Sequence, residues 1–387
     1  MKNYFSSNFK LGVLGGGQLG RMLLSETQKF DVYTAILDSS ETAPCAKICN
    51  EFHQGDLLDF DTVYNFGKKV DVLTIEIENV NIEALEKLEK EGLTIYPKPR
   101  NIKTIQNKAS QKLFYKDHNI PTADFSRFAS IEELKHAINN DAVSLPFVWK
   151  SARFGYDGNG VKVIKKVSDL DHLPTAECIA EKLIPFKNEL AVIVARNKSG
   201  EIKTYPVVEM EFHPEANQVE YVICPARIDE SVAKKAREIA LKVADAFDFV
   251  GLLAVEMFQT QNDEILVNEV APRTHNSGHY SIEASYTNQF EQHLRSILNL
   301  PLGNTNSKVA GIMVNLVGEE GYTGDVIYEN IEKIIAIDGV TPHIYGKKTT
   351  KPFRKMGHVT IVHENINNAR EIAQQVKETV RVISKQN

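Results

Sequence analysis

GLLAVEMFQTQNDEILVNE, residues 251–269, decides the architecture of this chain. Two runs of strand-forming residues, 252–258 and 264–269, flank the turn composition Thr260-Gln261-Asn262-Asp263, which predicts a β-hairpin. With Asn262-Asp263 at the centre of the turn, Glu256 and Glu269 lie directly opposite each other. Opposed carboxylates on one face stand about 4.5–5.5 Å apart at Cβ and repel. The strand around Glu256 is almost wholly apolar, so such acids are costly unless a cation lies between them. A hard divalent ion held by few carboxylates plus substrate phosphates, Mg²⁺, fits the pair. Two edge-strand acids facing water, or acids neutralised by Arg273, would explain the same residues without a metal.

Outward from the hairpin, residues 271–279 read Ala-Pro-Arg-Thr-His-Asn-Ser-Gly-His. Arg273, His275, Asn276 and His279 in so short a stretch suit a loop that recognises anions beside a metal. His275 and His279 have the i, i+4 spacing of a zinc pair, but Gly278 and Pro272 weaken the helix that spacing requires. Upstream, the apolar strand 147–150 ends in Lys150, and Gly155, Gly158 and Gly160 follow within a few residues. Such a loop bares many N–H groups and has the composition of a lid over phosphates. It is not a Walker A loop, since no Gly-Lys-Ser/Thr follows. Further along, Glu181-Lys182-Leu183-Ile184 ends one strand and Glu189 opens another, an arrangement that can read a purine edge and ribose hydroxyls. Lys347, Lys348, Lys351, Arg354 and Lys355 form a basic stretch late in the chain, read either as a solvated charge run or as the face of an anion site.

The first hundred residues alternate short apolar strands (10–14, 33–37, 72–77, 93–96) with amphipathic helices, which predicts a parallel sheet. Gly15-Gly16-Gly17-Gln18-Leu19-Gly20 matches GxGxxG between strand and helix, and Asp38 ends the next strand. Alone this reads as a dinucleotide fingerprint and raises a Rossmann-fold oxidoreductase as one alternative. The underlying physics is broader, because any phosphate can sit on bare N–H groups at a helix N-terminus. One helix is expected over 101–118, a small unit of short strands over 119–187, and a final amphipathic helix over 366–384.

The chain has 387 residues, enough for two or three domains, and a formal net charge of −6. That balance argues against a nucleic-acid partner. No apolar run approaches the span of a bilayer, and the opening residues lack a signal-peptide core, so no membrane association and a cytoplasmic location are expected. Four cysteines, with Cys45 and Cys49 lacking a second metal-ligand pair, suit a reduced compartment without disulfides.

The order of motifs resembles an ATP-grasp enzyme: glycine turn, strand lysine, glycine lid, E-K-L-I, and an acid on an apolar strand followed by N-E. The closer resemblance is to the N5-carboxyaminoimidazole ribonucleotide synthetase family, on GGGQLGRM at 15–22, TIEIENV at 74–80, GYDGNG at 155–160, NEVAPRTHNSGH at 268–279 and YGKK…RKMGH at 345–358. It implies an α/β and α+β ATP-grasp fold: a Rossmann-like pre-ATP-grasp domain (1–118), a small lid domain (119–187), and a large domain with a C-terminal extension (188–387). It implies that ATP, bicarbonate and aminoimidazole ribonucleotide give ADP, phosphate and the N5-carbamate by way of carboxyphosphate, in purine biosynthesis. ATP and Mg²⁺ are the implied cofactors and a homodimer the implied assembly. Carried over by position, Lys108, Lys150, Gly155, Tyr156, Asp157, Gly158, Asn159, Gly160, Val161, Glu181, Lys182, Leu183, Ile184, Glu189, His213, Asn268 and Glu269 form the ATP site. Glu256 and Glu269 hold the metal. Gln18, Leu19, Glu76, Tyr156, Asn276, Lys347, Arg354 and Lys355 bind the substrate, and Asp157, Arg273, Lys347 and Arg354 serve the chemistry. Lys108 departs from the arginine usual in the family, keeping charge but losing the guanidinium fork. Another ATP-grasp ligase, such as the formate-dependent glycinamide ribonucleotide transformylase, is the nearest alternative.

Overall fold

The structure, a computed structural model, describes residues 4–153, 160–213 and 218–385. The alternating first hundred residues build a five-stranded parallel sheet in the order Glu51–Gln54, Thr34–Asp38, Leu11–Leu14, Val72–Ile75, Thr94–Ile95. Its edge strand Glu51–Gln54, which has little apolar content, and the helix Phe60–Gly67 were not expected from the sequence. The segment 101–118 is two helices, Pro99–Ile105 and Lys108–Asp117, rather than one. Asn107 is extended between them, and its side chain accepts from Ser110 N at 2.9 Å, capping the second helix.

A four-stranded antiparallel sheet follows, in the order Phe125–Phe128, Cys178–Lys182, Phe147–Ser151, Val161–Ile164. The hairpin Gly251–Thr260/Ile265–Ala271 forms one edge of a nine-stranded sheet. Strands Ala310–Val317, Lys355–His363 and Val340–Ile344 extend that sheet at its other end, so the C-terminal residues share a sheet with the hairpin. Helix Ile366–Thr379 stops short of the expected 384. Arg381–Ser384 is instead a strand paired with Gly324–Glu329, as β-branched Val382 and Ile383 favour.

The hairpin places Glu256 opposite Glu269. Nearer the turn the register is one residue shorter than the sequence predicts, with Met257 opposite Val267 and Gln259 opposite Ile265. A β-bulge at Asn268 supplies the missing residue, which restores the acid pair and turns Asn268 out of the ladder. The two-residue period then separates the faces. Leu253, Val255 and Met257 pack with Ala236, Ala240 and Val243 of helix Glu230–Ala246, while Leu252, Ala254 and Glu256 face the other side. Leu253 is fully buried in that packing. Leu253→Ala is expected to cost about 2–5 kcal/mol in denaturant unfolding, against under ~0.5 for Leu58→Ala on the surface. Equal losses would show that the hairpin does not rest on this core.

Candidate active site

Buried charge gathers around the acid pair. Lys108, at the start of its helix, forms an ion pair with Glu269. Lys150, at the end of its strand, donates to Asn268 Oδ1 at 2.8 Å and pairs with Glu181 at 3.0 Å. His275 Nε2 lies 3.2 Å from Glu256 Oε1. Burial and the neighbouring Glu269 push the Glu256 carboxyl well above the usual range. Burial pushes Glu269 the same way, but Lys108 and Lys150 outweigh it and hold this carboxyl charged. Burial lifts Glu189 to about 7, with Lys150 opposing and Glu269 adding to the rise. Lys355 also acts on Glu256, so the C-terminal basic stretch reaches the electrostatics of the pair.

Lys112 and Thr122 belong to this cluster and were missed in the sequence. Lys112 Nζ donates to Thr122 Oγ1 at 2.7 Å and lies 3.3 Å from Glu181 Oε1, while Thr122 Oγ1 donates to the Val267 carbonyl at 2.6 Å. Burial drops the Lys112 ammonium to about 8, with Glu181 opposing. The signal was available: Lys108 and Lys112 are four residues apart on one helix face.

A second cluster surrounds the glycine turn. Gly15 has φ +102°, and Gly17 precedes helix Gln18–Lys29, whose first turn holds no acid. Gly16 N donates to Asp38 at 2.7 Å and Leu19 N to Glu76 at 3.1 Å. Asp38 therefore braces the turn, where the sequence alone suggested a ribose contact. A Cβ on Gly17 would stand 2.5 Å from Glu76 Oε1, so a side chain there would displace the Glu76 carboxyl. Burial raises Glu76 to about 7, against the pull of Arg273 and the Leu19 N–H.

Arg273, four residues past Glu269, acts on the glycine-turn cluster through its charge on Glu76. It donates to Glu78 at 3.0 Å and to the Thr274 carbonyl, and does not neutralise Glu256 or Glu269 by an ion pair. Asn276 exchanges amide hydrogen bonds of 3.0 Å with Asn315. His279 is buried, so only His275 of the two loop imidazoles faces the acid pair. Lys347 Nζ donates to the Lys355 carbonyl at 2.7 Å, and Arg354 donates to the Thr349 carbonyl at 2.8 Å, so both brace their own loop. His213 lines a separate cavity of about 360 Å³ with Asn315 and Phe353. Lys182 and Leu183 are exposed at the strand end and Ile184 is half-buried. Val161 opens the strand after Gly160, which has φ +76°. Gly155, Tyr156, Asp157, Gly158 and Asn159 lie outside the described residues. Among the described residues, no group of three or more His, Cys, Asp and Glu is placed to hold a metal.

Comparison with known proteins matches these parts in order. Residues 9–106 match a ribonucleotide synthetase preATP-grasp domain, 113–290 an ATP-grasp domain, and 311–372 a phosphoribosylaminoimidazole carboxylase C-terminal domain. N5-carboxyaminoimidazole ribonucleotide synthase of Bacillus subtilis is 36% identical over 359 residues, covering 92% of this chain and 91% of that protein. The chain belongs to the N5-carboxyaminoimidazole ribonucleotide synthase family. It is an ATP-dependent ligase on an ATP-grasp fold, which removes the oxidoreductase reading of the glycine turn. The synthetase of Thermotoga maritima superposes with a TM-score of 0.88 at 41% identity, covering 97% of this chain and 100% of that one. The Aspergillus clavatus synthase, solved with ADP and 5-aminoimidazole ribonucleotide, gives 0.87 at 33% identity, covering 97% and 99%. The chloroplastic carboxylase of Vigna aconitifolia is 38% identical over 367 residues, covering 92% of this chain; the chain spans 65% of that longer relative.

The raised Glu76 gives this synthase-family chain a signed pH dependence. Its folded pKa near 7 exceeds the usual carboxylate value of 4.5, so the folded state holds the proton more tightly. Stability is therefore lost as pH rises between these values, and Glu76→Gln should flatten that fall by about 1–3 kcal/mol. Urea unfolding of both proteins at stepped pH, without nucleotide, measures this; identical slopes would show that Glu76 ionises normally.

Proposed function

We propose that this chain carboxylates 5-aminoimidazole ribonucleotide at its exocyclic amine, using ATP and bicarbonate. The observation that carries the proposal is the opposed pair Glu256/Glu269 beside Lys108 and Lys150, on a chain of this family. Bicarbonate oxygen attacks the γ-phosphorus and ADP leaves, giving carboxyphosphate. The substrate amine then attacks the carboxyl carbon, phosphate leaves with the bonding pair, and the amine loses a proton.

The donor set fits Mg²⁺: two oxygen ligands on one sheet face, one held charged and the other strained upward by its neighbour, with phosphate oxygens to complete the shell. Glu256 and Glu269 would hold it, and when bound it supplies positive charge against the phosphates. Lys108 and Lys150 neutralise the triphosphate as point charges, and Asn268 and Glu181 orient Lys150. Glu189 and the strand edge at Glu181–Ile184 take the nucleoside, with the 155–161 loop over the phosphates. The glycine turn, Gln18 and Leu19 hold the ribonucleotide's phosphate, and Glu76 its sugar or base. Arg273, Asn276, Lys347, Arg354 and Lys355 line the remainder, and Tyr156 and Asp157 are assigned substrate contacts. Most of the acceleration then comes from positioning and charge neutralisation.

Coupled ADP release tests this. The rate should require Mg²⁺ and bicarbonate and rise steeply with the ribonucleotide. Glu269→Gln should lower kcat by at least about 100-fold with the melting temperature retained. Formate replacing bicarbonate, or a rate indifferent to the ribonucleotide, would overturn the proposal.

A further inference from the structure

Three imidazoles stack where the loop after the hairpin meets two paired C-terminal strands, on which His343 and His358 are cross-strand partners. His358, fully buried on strand Lys355–His363, lies between His279 and His343. Its ring centroid is 4.6 Å from His279 at 25° and 4.5 Å from His343 at 15°. Each end of the stack is tethered. His343 Nε2 lies 2.9 Å from Glu283 Oε1. Gln289 accepts from His275 N at 2.8 Å and donates to the His275 carbonyl at 2.8 Å, which fixes the orientation of its amide. Its Nε2 therefore donates to His279 Nδ1 at 2.9 Å, and His279 accepts there as a neutral ring. In the middle, His358 Nδ1 meets the Tyr345 hydroxyl at 3.0 Å.

The stack joins two loops. His279 closes the loop that carries Arg273 and Asn276. His343, Tyr345 and His358 frame the loop that carries Lys347, Arg354 and Lys355. A second bond runs in parallel: Asn276 pairs with Asn315, which is the strand partner of His358. The second loop also reaches the glycine turn's helix, since a Cβ on Gly346 would stand 3.3 Å from Arg21 Nη1. A displacement at His358 thus shifts one bank of basic groups relative to the other.

Stability alone does not ask for imidazoles here. His358 Nε2 and Glu283 Oε2 are buried without a hydrogen-bond partner among the described residues. The buried His358 Nε2 carries a desolvation cost that an aromatic hydrocarbon ring at position 358 would avoid. Burial, with the neighbouring His279 and His343 adding to it, holds His358 well below the usual imidazole range, so the middle ring carries no charge.

We infer that His279, His358 and His343 are positioning residues that set the spacing between the two basic loops and so determine affinity for the ribonucleotide, not for ATP. This rests on the function proposed above. None of the three touches the acid pair that would take the metal. The Tyr345 bond makes the effect specific, because a phenyl ring can fill the place of His358 but cannot hold that hydroxyl.

The test is steady-state ADP release by the full chain, varying ribonucleotide and ATP separately, with thermal melting alongside. For His358→Phe the ribonucleotide KM should rise about fivefold or more, with ATP KM within about twofold of the parent. Its melt should stay cooperative and close to the parent's, since removing the unsatisfied Nε2 offsets the lost Tyr345 bond. A selective rise in ribonucleotide KM without loss of the fold is a combination that a purely structural role would not give. His343→Ala, at the half-exposed end of the stack, is the second variant and should raise the ribonucleotide KM about threefold or more. Folded variants that keep the parent's ribonucleotide KM, or whose two KM values rise together, overturn the inference. A parent whose ADP release ignores the ribonucleotide overturns the functional reading first, so the two failures are told apart.

Discussion

Repulsion between two partly buried carboxylates on one sheet face is the constraint around which the rest of the site is arranged. At a separation of about 5 Å and an effective dielectric of about 20, two such charges would repel by roughly 3 kcal/mol. The chain handles this unevenly. Lys108 and Lys150 hold Glu269 in its charged form, while Glu256 is left with its carboxyl pushed upward. Each lysine arrives on a different element, one on a helix start and one on a strand end, so three parts of the fold meet at the pair. Lys112 and Thr122 extend the network to Glu181 and the Val267 carbonyl. Under the proposed function a cation between the acids would relieve that repulsion, and the triphosphate would bring the charge that the lysines serve.

The hairpin was legible because its signal is local: two apolar runs, one turn, and acids that the two-residue period must bring together. Even so, the pairing came out right through two offsetting features, a shorter register at the turn and a bulge at Asn268. A bulge is invisible to alternation, since it adds one residue without changing composition. The break at Asn107 was hidden for a related reason, as an asparagine between helical residues reads equally as interior or cap. The C-terminal strands were unread because Ala310–Val317 and Lys355–His363 are paired by tertiary contact far along the chain, with no turn between them to announce it.

The glycine turn shows where a motif carries geometry but not identity. GxGxxG encodes a tight turn before a helix, and that turn forms. Its neighbours decide the use: Asp38 and Glu76 take the N–H groups of Gly16 and Leu19, and Gly346 lies against Arg21. The basic stretch near the C-terminus, ambiguous as sequence, gains meaning only when the fold brings Lys355 within electrostatic reach of Glu256. The histidine stack was unreadable for the same reason, since its members come from three separate elements.

A crystal structure with Mn²⁺ in place of Mg²⁺ and a non-hydrolysable ATP analogue tests the central claim most directly. The expected result is one anomalous peak between Glu256 and Glu269, within about 2.0–2.3 Å of an oxygen from each and of the analogue's phosphates. A nucleotide bound elsewhere, or carboxylates still paired only with Lys108 and His275 while the metal lies apart, would contradict it.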